Sequence, residues 1–116
     1  LKKPLQIIHL TAHTGGGVGA VLQALIQESL IDGELIPSIV TLEQANEATR
    51  TWARTHEIAL YENAGELHGD LMERLASADI VHIHWWNHPL MEKLLFCTDL
   101  PPLRSVLWSH VNGHAI

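Results

Sequence analysis

The chain of 116 residues has a single cysteine, Cys97, so no disulfide can form within it. That fits a reducing compartment, and a cytoplasmic location is the expectation. Basic residues are also few. Seven Lys and Arg against thirteen Asp and Glu give a net charge of -6, and the seven are scattered rather than gathered on one stretch. A phosphate backbone needs a basic face, so a nucleic-acid partner is not expected. No apolar run approaches the ~20 residues of a membrane span. The opening Leu-Lys-Lys-Pro leads into an apolar stretch too short for a signal-peptide core. Repeats and low-complexity tracts are absent. What is present is an ordinary globular composition, 47% hydrophobic and 17% charged. One domain over residues 1–116 can bury a real core.

The chain is organised around residues 5–21. An apolar run, 5–10, reads as a strand buried on both faces of a parallel sheet. It ends in a turn with four glycines, Gly15, Gly16, Gly17 and Gly19. A helical pattern follows at once, with Val18, Val21, Leu22, Leu25 and Ile26 on one face. Strand, glycine turn and helix together present backbone N–H groups at a helix N-terminus, which suits a phosphate. A Cβ would keep such a ligand away from the backbone.

The first helix is expected over 18–30, closed by Asp32-Gly33. Strands are expected at 36–42, 57–61, 80–85 and 104–109, with Pro37 near the sheet rim. Between them, 43–54 reads as a helix carrying Ala45, Ala48 and Trp52 on one side, and 62–65 as a loop. Leu67, Leu71 and Leu75, with Met72 and Ala76, mark a helix ending near Ser77. A short helix opens at Pro89 and runs through Leu90, Leu94 and Leu95. The β-α alternation predicts an α/β, Rossmann-like open parallel sheet of about five strands, order 3-2-1-4-5, with helices on both faces.

Ligands of such sheets bind beyond the carboxyl ends of the strands, near the switch between strands one and four. Loops 13–19, 84–88 and 109–113 should therefore share one crevice. They hold His13, His84, His88 and His110, with His114 just beyond, and Trp85 and Trp86 are there too. Histidine can act as base, hydrogen-bond donor or metal ligand. His82, in mid-strand, reads as a satisfied core histidine, and Trp108, inside a strand, as packing. His110, just past a strand end, reads as functional.

His82, His84 and His88 could supply three zinc ligands. The His-x-His-x-Asp-His pattern of metallo-hydrolases would need Asp at Trp86 and His at Asn87, and no acid lies between Asp79 and Glu92. No metal is expected on that ground. A dinucleotide site is the stronger rival: Gly15 to Ala20 satisfies G-x-G-x-x-A, and Glu43 ends the second strand where a ribose-binding acid belongs. Against it, four residues, 11–14, separate strand from first glycine, wider than a tight NAD turn. The histidine- and tryptophan-rich loops would also have no role. A non-catalytic α/β module that assembles through an exposed edge is the third reading.

Three stretches in order, Ile-His-Leu-Thr-Ala-His-Thr-Gly-Gly-Gly-Val-Gly-Ala-Val-Leu, Ala-Asp-Ile-Val-His-Ile-His-Trp-Trp-Asn and Val-Leu-Trp-Ser-His-Val-Asn-Gly, resemble the N-terminal domain of GT-B glycosyltransferases of family 4. The resemblance covers essentially the whole chain. It implies half of a GT-B fold, in which this half binds the acceptor (a sugar, lipid or glycan) and a second domain holds the nucleotide-sugar donor. It implies sugar transfer with retention, without a cofactor or an essential metal. Peripheral membrane association of the full-length enzyme is compatible with it. By the resemblance, Gly15, Gly16, Gly17 and Gly19 lie against the donor diphosphate and acceptor. His110 is then the catalytic histidine near the transferred sugar, and His13, His84, Asn87 and Asn112 are acceptor-side residues. The family's donor domain, with its Glu-x7-Glu motif, is absent from these residues. The expectation is accordingly a fragment, inactive alone, whose exposed edge favours self-association.

Overall fold

A computed structural model describes residues 4–15, 18–85, 89–95 and 105–109. The elements alternate as expected: β1 (Leu5–Thr11), α1 (Val18–Asp32), β2 (Leu35–Thr41), α2 (Glu47–Thr55), β3 (Ala59–Tyr61), a 3-10 turn (Ala64–Glu66), α3 (His68–Ser77), β4 (Ile80–Trp85), α4 (Pro89–Leu95) and β5 (Ser105–Ser109). The five strands form one sheet in the order β3-β2-β1-β4-β5, every pair parallel. The chain is thus a Rossmann-like open sheet, with β3 and β5 at its edges. None of the described helices is long and apolar enough to cross a membrane.

The period of two along each strand sorts side chains onto opposite faces. On one face Ile8, Leu10 and Ala12 of β1 and its exit meet Val40 and Leu42 on one side and Val81 and Ile83 on the other. Leu71 and Leu75 of α3 and Met91 and Leu94 of α4 close over them. On the other face Ile39 packs with Val18, Leu22 and Ile26 of α1 and Ala53 of α2. Of the expected apolar stripe of α1, Val18, Leu22 and Ile26 are therefore buried, while Val21 and Leu25 are half-buried. The C-terminus of α1 follows expectation, since Gly33, next after Asp32, takes a positive φ of 67° that favours glycine.

Three local expectations are corrected. The second helix begins at Glu47, not residue 43, because Asn46 caps it: the Asn46 side chain accepts the Thr49 N–H at 2.9 Å. The buried positions of this helix are Thr49 and Ala53, with Trp52 packed beside them. Ala48 is exposed, and Ala45 is buried in the preceding loop. In α3, Leu71 and Leu75 are buried and Met72 packs against the core, whereas Leu67 and Ala76 are exposed. Part of the loop expected at 62–65 is the 3-10 turn. Pro37 is the third residue of β2, buried and paired with Ile7 of β1; β3 pairs only with residues from Ser38 onward, so no neighbour on that side needs the missing N–H.

Candidate functional site

The carboxyl ends of β1, β2 and β3 are stitched together by short-range chemistry. Thr11 and Thr41, side by side in the ladder, each turn their hydroxyl to the carbonyl two residues on, His13 O at 2.9 Å and Glu43 O at 2.7 Å. The β1–β2 pairing continues beyond the strands through Leu42 N–H to Thr11 O and Glu43 N–H to Ala12 O. Asn46 then links the two loops. Its backbone N–H donates to Thr14 Oγ1 at 3.1 Å and its Nδ2 to Thr14 O at 3.4 Å. Glu62, after β3, accepts the Ala45 N–H and holds the Arg50 guanidinium, whose Nε lies 2.9 and 3.0 Å from its two oxygens.

The glycine turn is folded onto itself. Gly15 donates its N–H to His13 Nδ1 at 3.0 Å. An accepting Nδ1 carries no hydrogen, so the His13 proton resides on Nε2. The Gly19 N–H donates to Thr14 O at 3.1 Å, and that of Val18 to Gly15 O at 3.3 Å. Gly19 is glycine for a packing reason. A Cβ there would stand 2.6 Å from Thr14 O and 3.3 Å from Thr49 Oγ1. The strand runs through Thr11, so three residues precede Gly15 rather than four. Ala20, the last position of the G-x-G-x-x-A match, is exposed. In a dinucleotide fold that position packs helix against strand; here Gly19 makes the close approach.

Behind this turn, on the sheet face where α1 packs, lies a group of three imidazoles. The β1–β4 register sets His9 opposite His82 and Thr11 opposite His84. His9 Nδ1 and His84 Nε2 are 3.3 Å apart, one donating to the other. The His82 and His84 rings stack at 4.3 Å and 23°, and His9 tilts against both. All three are buried, His84 completely. The Nε2 atom of His82 is buried without a hydrogen bond, while its ring is held by its neighbours. Burial, with the His82 charge adding to it, lowers the pKa of His9 to about 4. His9 is thus a neutral donor and acceptor at physiological pH.

Of the residues singled out in the sequence, His13, Gly15 and Gly19 are brought together at the end of β1. His84 ends up inside the sheet face rather than at an open rim. Gly16, Gly17, Asn87, His88, His110, Asn112 and His114 lie outside the described residues, as does Trp86. His82 is buried as expected, but the expected satisfaction fails at its Nε2, which has no hydrogen bond. His9 was missed: a lone histidine in an apolar strand carries no motif. Its neighbours follow only from the β1–β4 register, which a strand order does not fix.

Searches against family models, curated proteins and solved structures find no match to this chain.

Proposed function

We propose that this chain is the acceptor-side half of a GT-B glycosyltransferase of family-4 type, within a protein that moves a sugar from a nucleotide-sugar donor to an acceptor hydroxyl. One observation carries the reading. β1 and β4 are neighbours, with Thr11 opposite His84, so the carboxyl ends of these two strands lie side by side at the switch point. That is where open α/β sheets take their ligands. The three ordered stretches of resemblance overlap β1, β4 and β5, in that order.

The described geometry refines the roles. The Gly15 and Gly19 amides are engaged within the turn, so these glycines shape it rather than donate to a diphosphate. His13, whose Nδ1 accepts the Gly15 N–H, is assigned to the acceptor side by the resemblance. His110 is assigned the place near the transferred sugar, where a histidine can orient or deprotonate the attacking hydroxyl. The dinucleotide reading is weaker, because Ala20 is exposed and does not pack the helix as that fingerprint requires.

The test uses the protein that carries this chain. Release of nucleoside diphosphate from UDP- or GDP-sugars is expected, and His110→Ala should slow it tenfold or more, ~1.4 kcal/mol of barrier per factor of ten. An unchanged rate in that variant would remove His110 from the mechanism. Tight NAD binding by calorimetry, with no turnover of any nucleotide sugar, would replace the whole reading by the dinucleotide one.

A further inference from the structure

We propose that His9, His82 and His84 form a binding site for a divalent transition-metal ion of the zinc class, inside the sheet face on which α1 packs. The three rings come from adjacent parallel strands, and one nitrogen from each lies within 4.8 Å of the other two. Zinc bonds imidazole nitrogen at ~2.0–2.1 Å in a tetrahedral arrangement, which separates two ligand nitrogens by about 3.3–3.4 Å. His9 Nδ1 and His84 Nε2 already stand at 3.3 Å. Bringing His82 to the same spacing takes a side-chain rotation on the order of 1 Å on that geometry, since the ladder already fixes the backbones of β1 and β4.

The chemistry of the donors agrees. A ligating imidazole must be neutral, and all three rings are buried, which disfavours the charged form. The hydrogen shared by His9 and His84 moves to the far nitrogen of the ring that owns it, so neutral rings bind the ion without losing a proton. Nitrogen-only ligation suits zinc and its neighbours, not magnesium or calcium, which take oxygen. Three histidines leave a tetrahedral ion one further position. A bound water there ionises near neutrality, and its charge would partly offset the buried dication. In the sequence His82, His84 and His88 stand closest together, but the β1–β4 register puts His9, not His88, beside the other two.

The experiment takes tag-free protein, stripped with chelator and then dialysed after addition of zinc. One zinc per chain should be retained, the X-ray absorption spectrum should show three imidazole ligands, and the unfolding midpoint should rise with zinc concentration. His9→Gln, His82→Gln and His84→Gln should each lower zinc affinity roughly tenfold or more, as even weaker perturbations of such sites do. His68→Gln, on an exposed histidine of α3, should not. Should the core variants fail to fold, the ligand count on the unaltered protein decides. No retained zinc, a ligand set other than three imidazoles, or equal retention in folded core variants would overturn the site and leave a hydrogen-bonded core cluster.

Discussion

The two faces of the sheet are built from the same strands by alternate residues, yet they are different materials. Across one face run Val40, Leu10 and Ile83, and behind them Leu42, Ala12, Ile8 and Val81, all apolar and sealed by α3 and α4. Across the other run Ile39, His9 and His82, then Thr41, Thr11 and His84. The first face is held by apolar area. The second gives up part of that area for hydrogen bonds and ring contacts, and compensates with a close backbone fit of α1 and a capped α2. The contrast separates the face that makes the fold from the face that carries polar chemistry.

The strongest test of the division is a cavity on the apolar face. Leu10 is fully buried at the centre of that face. Leu10→Ala should cost about 2–5 kcal/mol in urea unfolding. A loss well under that range would mean the face is loosely packed and that the histidine side contributes more to stability than its composition suggests.

Acid should probe the other face. In the unfolded chain His9 titrates near 6.5, whereas in the folded protein its pKa is lowered to about 4, first by burial and then by the charge of His82. Between these values the unfolded state binds more protons, so stability falls as pH drops. The contribution is whole above about 6.5 and gone below about 4, on the order of 3 kcal/mol at ~1.4 kcal/mol per pK unit. Carboxylates titrate in the lower part of the same window, so the informative quantity is the difference between metal-free wild type and His9→Gln. The wild-type profile should be the steeper. Parallel profiles would show that His9 is not held neutral by its surroundings.

Next in size is the fit of α1. Gly19→Ala gains helix propensity worth roughly 1 kcal/mol, but its Cβ would meet the Thr14 carbonyl at 2.6 Å. A backbone atom cannot step aside as a side chain can, and overpacking of this kind costs about 1–3 kcal/mol. The net effect should be destabilising. Gly69→Ala is the control, because nothing lies within 4 Å of a Cβ there and α3 should be unchanged or steadier. If both variants stabilise, the close approach of α1 is not what the second face depends on.

The legible part of this molecule was the part written in periodicity. The stripe of Val18, Leu22 and Ile26, the strand at residues 80–85 and the helix at Pro89 were read directly, and the alternation of elements led to the strand order. What was not legible depended on register or on a single polar contact. Asn46 displaced the start of α2 because an Asx side chain can end a loop as readily as extend a helix. His9 stayed hidden because its neighbours His82 and His84 are more than seventy residues away in sequence. Gly19 was visible as a turn glycine, but its contact with Thr14 exists only once the turn has closed.

The smallest expected effect bears on how the second face is fastened. Asn46 does two things: Oδ1 caps α2 through the Thr49 N–H at 2.9 Å, and Nδ2 reaches the Thr14 carbonyl at 3.4 Å. Asn46→Ala removes both and should cost about 0.5–2 kcal/mol, the range for losing such a cap. Asn46→Asp keeps the acceptor, adds favourable charge at the helix start and removes only the donor to Thr14. If the cap is the main effect, Asp should recover most of the loss in urea unfolding. If Asp is as damaging as Ala, the bond to Thr14 is what matters. The same Thr14 carbonyl accepts the Gly19 N–H, so a double variant with Gly19→Ala should then depart from additivity, as sites sharing a partner do. Additive losses would instead mean that α1 and α2 are fastened to this face independently, each by its own contact.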